Sequence, residues 1–181
     1  MPGTAEINAG TMVKDAVAQE GKYLTFALGR EEYGLEILKV REIIGYLEVT
    51  SVPQMPDHVK GVINLRGQVI PVVDLRSKFN MDATQITEET CIIVVEIGLG
   101  DSLHKIGMIV DHVLEVLDIE SEDIEEAPPL GSGVNTSFIL GLAKLGSTVK
   151  ILLNIDQVLS AEDKDMLHLA VSPLDPQKDQ Q

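Results

Sequence analysis

Several residue types are scarce in this chain, and each scarcity removes a class of function. Cys91 is the sole cysteine among 181 residues, so no intramolecular disulfide and no paired-cysteine metal or redox site can form. Tryptophan is absent and aromatics amount to 3%. The core must therefore be aliphatic, drawn from Val, Ile and Leu within an apolar fraction of 44% that is ordinary for a globular chain. Basic residues are outnumbered, 14 against 29 acidic ones, for a net charge of −15. That excludes nucleic acid as a partner, because phosphate binding needs clustered Lys and Arg, and it disfavours a bare anionic membrane surface. No uncharged apolar run approaches the roughly 20 residues needed to cross a bilayer, so no direct membrane insertion is expected. The first residues have neither a basic start nor an apolar stretch, which reads as no signal peptide and a cytoplasmic location.

What is present is a succession of short β-rich runs broken by Gly and Asp. Residues 23–28 and 33–37 form one expected hairpin, and 61–65 with 68–75 a second, turning at Arg66-Gly67. Residues 91–97 and 106–110 flank a glycine-rich turn at 98–101, and 138–145 with 149–153 complete a fourth. Helical pattern is confined to a short piece at 38–44 and a C-terminal helix at 155–169, where Ser160 with Asp163 resembles a capping box. Residues 1–20 and the end of the chain read as polar tails. The segment 115–126 carries Glu115, Asp118, Glu120, Glu122, Asp123, Glu125 and Glu126 without one base, and reads as a solvated connector. Short strands at close spacing, without long alternating helices, predict a mostly β fold of small barrels.

The chain also repeats itself. The run from Tyr33-Gly34 to Val40-Arg41-Glu42-Ile43 aligns with that from Ile106-Gly107 to Val113-Leu114-Glu115-Val116. Further on, Gly61 to Leu65 aligns with Gly141 to Leu145, and Val72-Val73-Asp74-Leu75 with Leu152-Leu153-Asn154-Ile155. Matched blocks in the same order indicate duplication. The expected organisation is a tail at 1–20, barrel halves at 21–86 and 87–160, and the C-terminal helix end and tail at 161–181. A half of about 65 residues is near the lower limit for an independent core, so the two should share apolar surface.

Catalytic patterns are missing. His58, His104, His112 and His168 lie in separate segments without metal-ligand spacing and read as lone surface histidines. No nucleophile elbow and no phosphate-binding glycine loop occur; the glycines at 98–100 and 131–133 read as turns. The expectation is no catalytic residue, no cofactor and no metal, with a small cytoplasmic enzyme of unrecognised site as the alternative. What stands out instead is asymmetry. The first copy carries Asn64-Leu65-Arg66-Gly67 at its hairpin tip, and the second carries Lys144-Leu145-Gly146-Ser147. Packing alone does not require Arg66, so a role outside the scaffold is a candidate. Both copies keep the glutamate, Glu42 and Glu115, while only the first supplies an arginine, so a Glu42–Arg66 ion pair is expected.

Val40-Arg41-Glu42-Ile43, Val52-Pro53-Gln54-Met55-Pro56, Gly61 to Gly67 and Pro71-Val72-Val73-Asp74-Leu75-Arg76 together resemble the CheW family of bacterial chemotaxis coupling proteins. The resemblance runs from about Tyr23 to Leu159. It implies two five-stranded SH3-like barrels packed together. It also implies a scaffold or adaptor joining the cytoplasmic tip of a chemoreceptor (methyl-accepting chemotaxis protein) to the regulatory domain of the histidine kinase CheA, at receptor arrays on the inner membrane. Carried over by motif, Val40, Glu42, Ile43, Gly61, Asn64, Arg66 and Gly67 would line or support the groove that receives the receptor.

Overall fold

The computed structural model describes residues 20–128 and 136–171, and side chains as far as residue 167. Its elements run β1 (Gly21–Leu28), β2 (Glu31–Glu36), a 3-10 turn (Ile37–Lys39), β3 (Val40–Gly45), β4 (Val59–Leu65), β5 (Gln68–Asp74) and α1 (Leu75–Lys78). The second half follows the same order. It has β6 (Cys91–Leu99), β7 (Ser102–Val110), β8 (His112–Ile119), a 3-10 turn (Ser121–Asp123), β9 (Ile124–Glu125), β10 (Ile139–Leu145), β11 (Thr148–Leu153), α2 (Ile155–Val158) and α3 (Ala161–Val171).

These strands make two sheets, one in the order β3-β6-β7-β5-β4 and one in the order β8-β1-β2-β11-β10-β9. The first closes on itself where Thr50 and Val62 exchange backbone hydrogen bonds of 2.9 Å, joining the chain beyond β3 to β4. The second closes at the matching place, where β9 pairs with β10. They are called the first and second barrel below.

The duplication is visible in the registers. Val40 opposes Val95 as Val113 opposes Phe26, and Val72 opposes Gly107 as Leu152 opposes Gly34. The repeated glycine has a steric cause. A Cβ at Gly34 would stand 2.8 Å from Leu152, and one at Gly107 2.7 Å from Ile92.

Each barrel mixes the halves. The first barrel takes β3, β4 and β5 from the first half but β6 and β7 from the second, and the second barrel does the reverse. The contiguous division at 21–86 and 87–160 therefore does not describe the sheets. Burial explains the exchange. In β6, Ile92 and Val94 fill the interior of the first barrel, while Ile93, Val95 and Ile97 face a shared core. In β1, Tyr23 belongs to the interior of the second barrel, while Leu24, Phe26 and Leu28 enter the same shared core. A strand apolar on both faces must be laid between two layers, and its own half offers only one. The shared core is the apolar surface the halves were expected to share. Phe26, Tyr33, Phe79 and Phe138 stack within and against it, with centroids 5.4–5.7 Å apart.

Four other expectations change. Residues 40–44 are strand, not helix, because Val40-Arg41-Glu42-Ile43-Ile44 alternates partly buried with exposed positions along an edge. The β6–β7 hairpin turns only at residues 100–101, since Leu99 is buried and holds its strand in the core. The acidic segment is ordered, with β8, a turn and β9 where a solvated connector was expected; Ile119 faces the interior of the second barrel while Glu115 and Asp118 face out. The C-terminal helix is two helices, split at Leu159-Ser160, because Ser160 caps a new start. That capping box is reciprocal: Ser160 Oγ accepts from the Asp163 N–H, and Asp163 Oδ2 from the Ser160 N–H, both at 3.1 Å. Of the expected tails, residues 1–19 and 172–181 lie outside the described residues, as do the glycines at 131–133, while Val171, read as the start of a tail, ends the last helix.

Candidate functional site

The first barrel's edge strand β3 and the tip of the β4–β5 hairpin come together, and their meeting point is the Glu42–Arg66 ion pair, Arg66 Nη2 donating to Glu42 Oε2. Arg66 is 67% exposed along its side chain and Glu42 26%, so the guanidinium is presented outward from a carboxylate that is itself half seated.

The tip has an uncommon construction. Leu65 opposes Gln68, leaving Arg66-Gly67 as a two-residue turn with φ of 53° and 87°. Two positive φ values suit the right-handed twist of a hairpin, and Asn-Gly is the usual occupant. Arg66 has a Cβ that disfavours this region. Asn64 supports the turn from below, its Oδ1 accepting the Gly67 N–H at 2.8 Å. The matching tip of the second barrel places Gly146 at φ 65°, where glycine carries no such cost, and offers no side chain there.

Gly61 acts differently. It sits at a register shift with φ 145°, and a Cβ would stand 1.9 Å from the Thr50 carbonyl oxygen. Any side chain would push apart the bridge that closes the barrel, so Gly61 supports the site through closure. Val40 packs against the shared core, whereas Ile43 is 43% exposed on β3. The structure thus gathers Glu42, Asn64, Arg66 and Gly67 into one tip, places Val40 and Ile43 on the adjoining edge, and puts Gly61 at the barrel closure.

Sequence reasoning missed three neighbours. Leu38 is 87% exposed on the 3-10 turn before β3, and Leu47 is 39% exposed beyond it. Arg41 pairs with Glu96 on the neighbouring strand. The sequence carried no signal for the two leucines, since nothing in an apolar letter tells which face of a short strand or turn it will occupy.

Elsewhere a cavity of about 250 Å³ opens between Tyr46, Lys60, Arg76, Ile86 and Asp111. Among the described residues no group of three or more His, Cys, Asp or Glu is placed to hold a metal ion. His58 is not a surface residue: it is partly buried, with Nε2 2.9 Å from Asp163 Oδ1 but not aligned for a hydrogen bond. No helix among the described residues is long and apolar enough to cross a membrane.

The CheW-like domain family model matches residues 22–163. Chemotaxis protein CheW of Klebsiella aerogenes is 40% identical over 163 residues, covering 90% of this chain and 93% of that protein. Chemotaxis protein CheW of Bacillus subtilis is 33% identical over 168 residues, covering 93% and 97%. The crystal structure of scaffolding protein TtCheW from Thermoanaerobacter tengcongensis superposes with a TM-score of 0.72 at 36% identity, covering 82% of this chain and 99% of that one. These relatives give the small-enzyme alternative no support. Motifs, duplicated barrels and relatives agree, and the chain belongs to the CheW family of chemotaxis coupling proteins.

Proposed function

We propose that this chain is a non-catalytic adaptor that seats the cytoplasmic tip of a chemoreceptor against β3 and the β4–β5 tip, and holds the regulatory domain of the histidine kinase CheA on the barrel ends. The observation that carries this is the contrast between the two tips. One keeps an arginine in a disfavoured backbone conformation, supported by Asn64 and paired with Glu42; its duplicate has glycine. Strained non-glycine positions that persist in a fold cluster where function needs the side chain. A planar guanidinium suits this place, because its fork can leave Glu42 for a carboxylate or carbonyls on a helical hairpin laid across Ile43 and Leu38. Recruitment to receptor arrays at the inner membrane follows from those partners, without insertion into the bilayer.

The test is co-sedimentation with membranes carrying receptor and with purified CheA. The unaltered chain is expected to sediment with receptor and to raise kinase activity in the assembly. Arg66→Ala should lose both while melting normally. Unaltered sedimentation and kinase stimulation in Arg66→Ala would refute the site.

A further inference from the structure

Two ion pairs stand where the chain crosses between the barrels, away from the hairpin tip. Asp111 is the one residue between β7 of the first barrel and β8 of the second. Its carboxylate accepts from Arg76 Nε at 2.7 Å and Arg76 Nη2 at 2.5 Å, and from the backbone N–H of Gly29 at 2.7 Å. Arg76 lies in α1, directly behind β5 of the first barrel, and Gly29 in the β1–β2 turn of the second. One carboxylate therefore ties both barrels at the crossover. Arg76 Nη1 adds a bond of 2.8 Å to the Asp82 carbonyl, and the pair is largely shielded, at 15% and 21% exposure.

The other crossover is the 3-10 turn between β2 and β3. There Lys39 Nζ stands 3.2 Å from Asp156 Oδ2, more openly, at 41% and 37% exposure. Asp156 is the repeat counterpart of Arg76. Lys39 falls one position from the counterpart of Asp111. The aiming device is repeated as well: Asp74 Oδ1 accepts the Arg76 N–H at 3.0 Å, as Asn154 Oδ1 accepts the Asp156 N–H at 3.1 Å. Simple duplication would copy the signs of the charges. Instead both halves hold an ion pair from the same helix position to the crossover, with opposite polarity, so the contact itself is what the architecture keeps.

We propose that Arg76 and Asp111 are positioning residues for signal transfer: they lock the two barrels in one relative orientation, so that what docks at the Arg66 tip of the first barrel is felt by what docks on the second. This rests on the adaptor function proposed above. The shared core holds the barrels together by close packing, but its apolar contacts are individually non-directional. A bidentate fork on a shielded carboxylate fixes direction as well as distance. The weaker Lys39–Asp156 pair holds the opposite crossover.

The test uses the full chain with Arg76→Ala, and with Arg76→Lys, which keeps charge and stem should the alanine variant fold poorly. Three readouts are taken: affinity for a receptor fragment and for CheA separately, kinase stimulation in the ternary assembly, and hydrogen exchange at the Gly29 amide. Both variants should keep each separate affinity. Stimulation should fall about tenfold in Arg76→Ala, within the usual range of coupling between sites, and less in Arg76→Lys. Exchange at Gly29 should quicken roughly tenfold as the crossover opens locally. Unchanged stimulation overturns the proposal whether or not exchange quickens, and so does a loss of stimulation matched by an equal loss of separate affinity. If the unaltered chain bound neither partner, the adaptor function would fail by itself. The Gly29 exchange would still decide the lock, standing if exchange quickens and falling if it does not.

Discussion

Arg66 holds a backbone conformation that costs a residue with a Cβ about 1–2 kcal/mol, and its duplicate avoids that cost with Gly146. Arg66→Gly should therefore keep stability, or raise it by about 1 kcal/mol in urea titration, while receptor binding is lost. Arg66→Ala keeps the Cβ and should show no such gain. A drop of similar size in Arg66→Gly would mean the side chain stabilises the fold. The ion pair itself is exposed on one side and contributes about 0–1 kcal/mol to stability. Its coupling belongs to binding: Glu42→Ala and Arg66→Ala should be non-additive in receptor affinity by roughly 0.5 kcal/mol or more, and additive losses would separate the two residues. The pair was legible in the sequence because the repeat keeps both glutamates and only one arginine. The place of the turn, Arg66-Gly67, was legible as well, but its positive φ at Arg66 and the Asn64 support were not, since Arg-Gly lacks the Asn-Gly signature and the supporting amide stands outside the two turn residues.

The four hairpins were legible as alternating runs between turn residues, and the capping box of α3 as Ser160 with Asp163. β3 and β8 were misjudged. Both are edge strands carrying register shifts, where charged residues and a bulge break simple alternation. Acids on an edge also discourage pairing with another chain, which explains a strand in so acidic a segment. The buried Asp163 anchors α3: besides the cap, its Oδ2 accepts from Lys78 Nζ at 2.7 Å. Asp163→Ala should thus cost more than a lost cap, about 2 kcal/mol by urea titration, because Lys78 is left without its partner. Acid sensitivity follows with a definite sign. Burial raises the Asp163 carboxyl pKa, but the Lys78 bond and the Ser160 N–H outweigh it and leave it below its ordinary 3.8. The Arg76 fork holds Asp111 below the same value, against the cost of burial. Both carboxylates contribute stability that is fully present above 3.8 and is lost as pH falls through their lowered folded values. Stability contributed by these two groups should be flat from neutrality down to about pH 5 and decline only below about pH 4. Asp111→Asn with Asp163→Asn should reduce that decline, and an equally steep one would place the acid-sensitive groups elsewhere.

At the scale of the molecule, duplication could be read in the sequence but the exchange of hairpins could not. Spacing tells that β1–β2 matches β6–β7; it does not tell which half's sheet each hairpin joins. That choice is made by burial on two faces, a property of the packed whole. Duplication also supplies an internal control, because the two barrels present the same tip with and without the arginine. Backbone NMR of the isotope-labelled chain, titrated with a receptor cytoplasmic fragment, reads both tips in one experiment. Shifts are expected at Glu42, Ile43, Arg66 and Gly67, with Glu115, Val116, Gly146 and Ser147 unmoved; shifts centred on the second set, or on neither, would rule out the arginine tip as the receptor site.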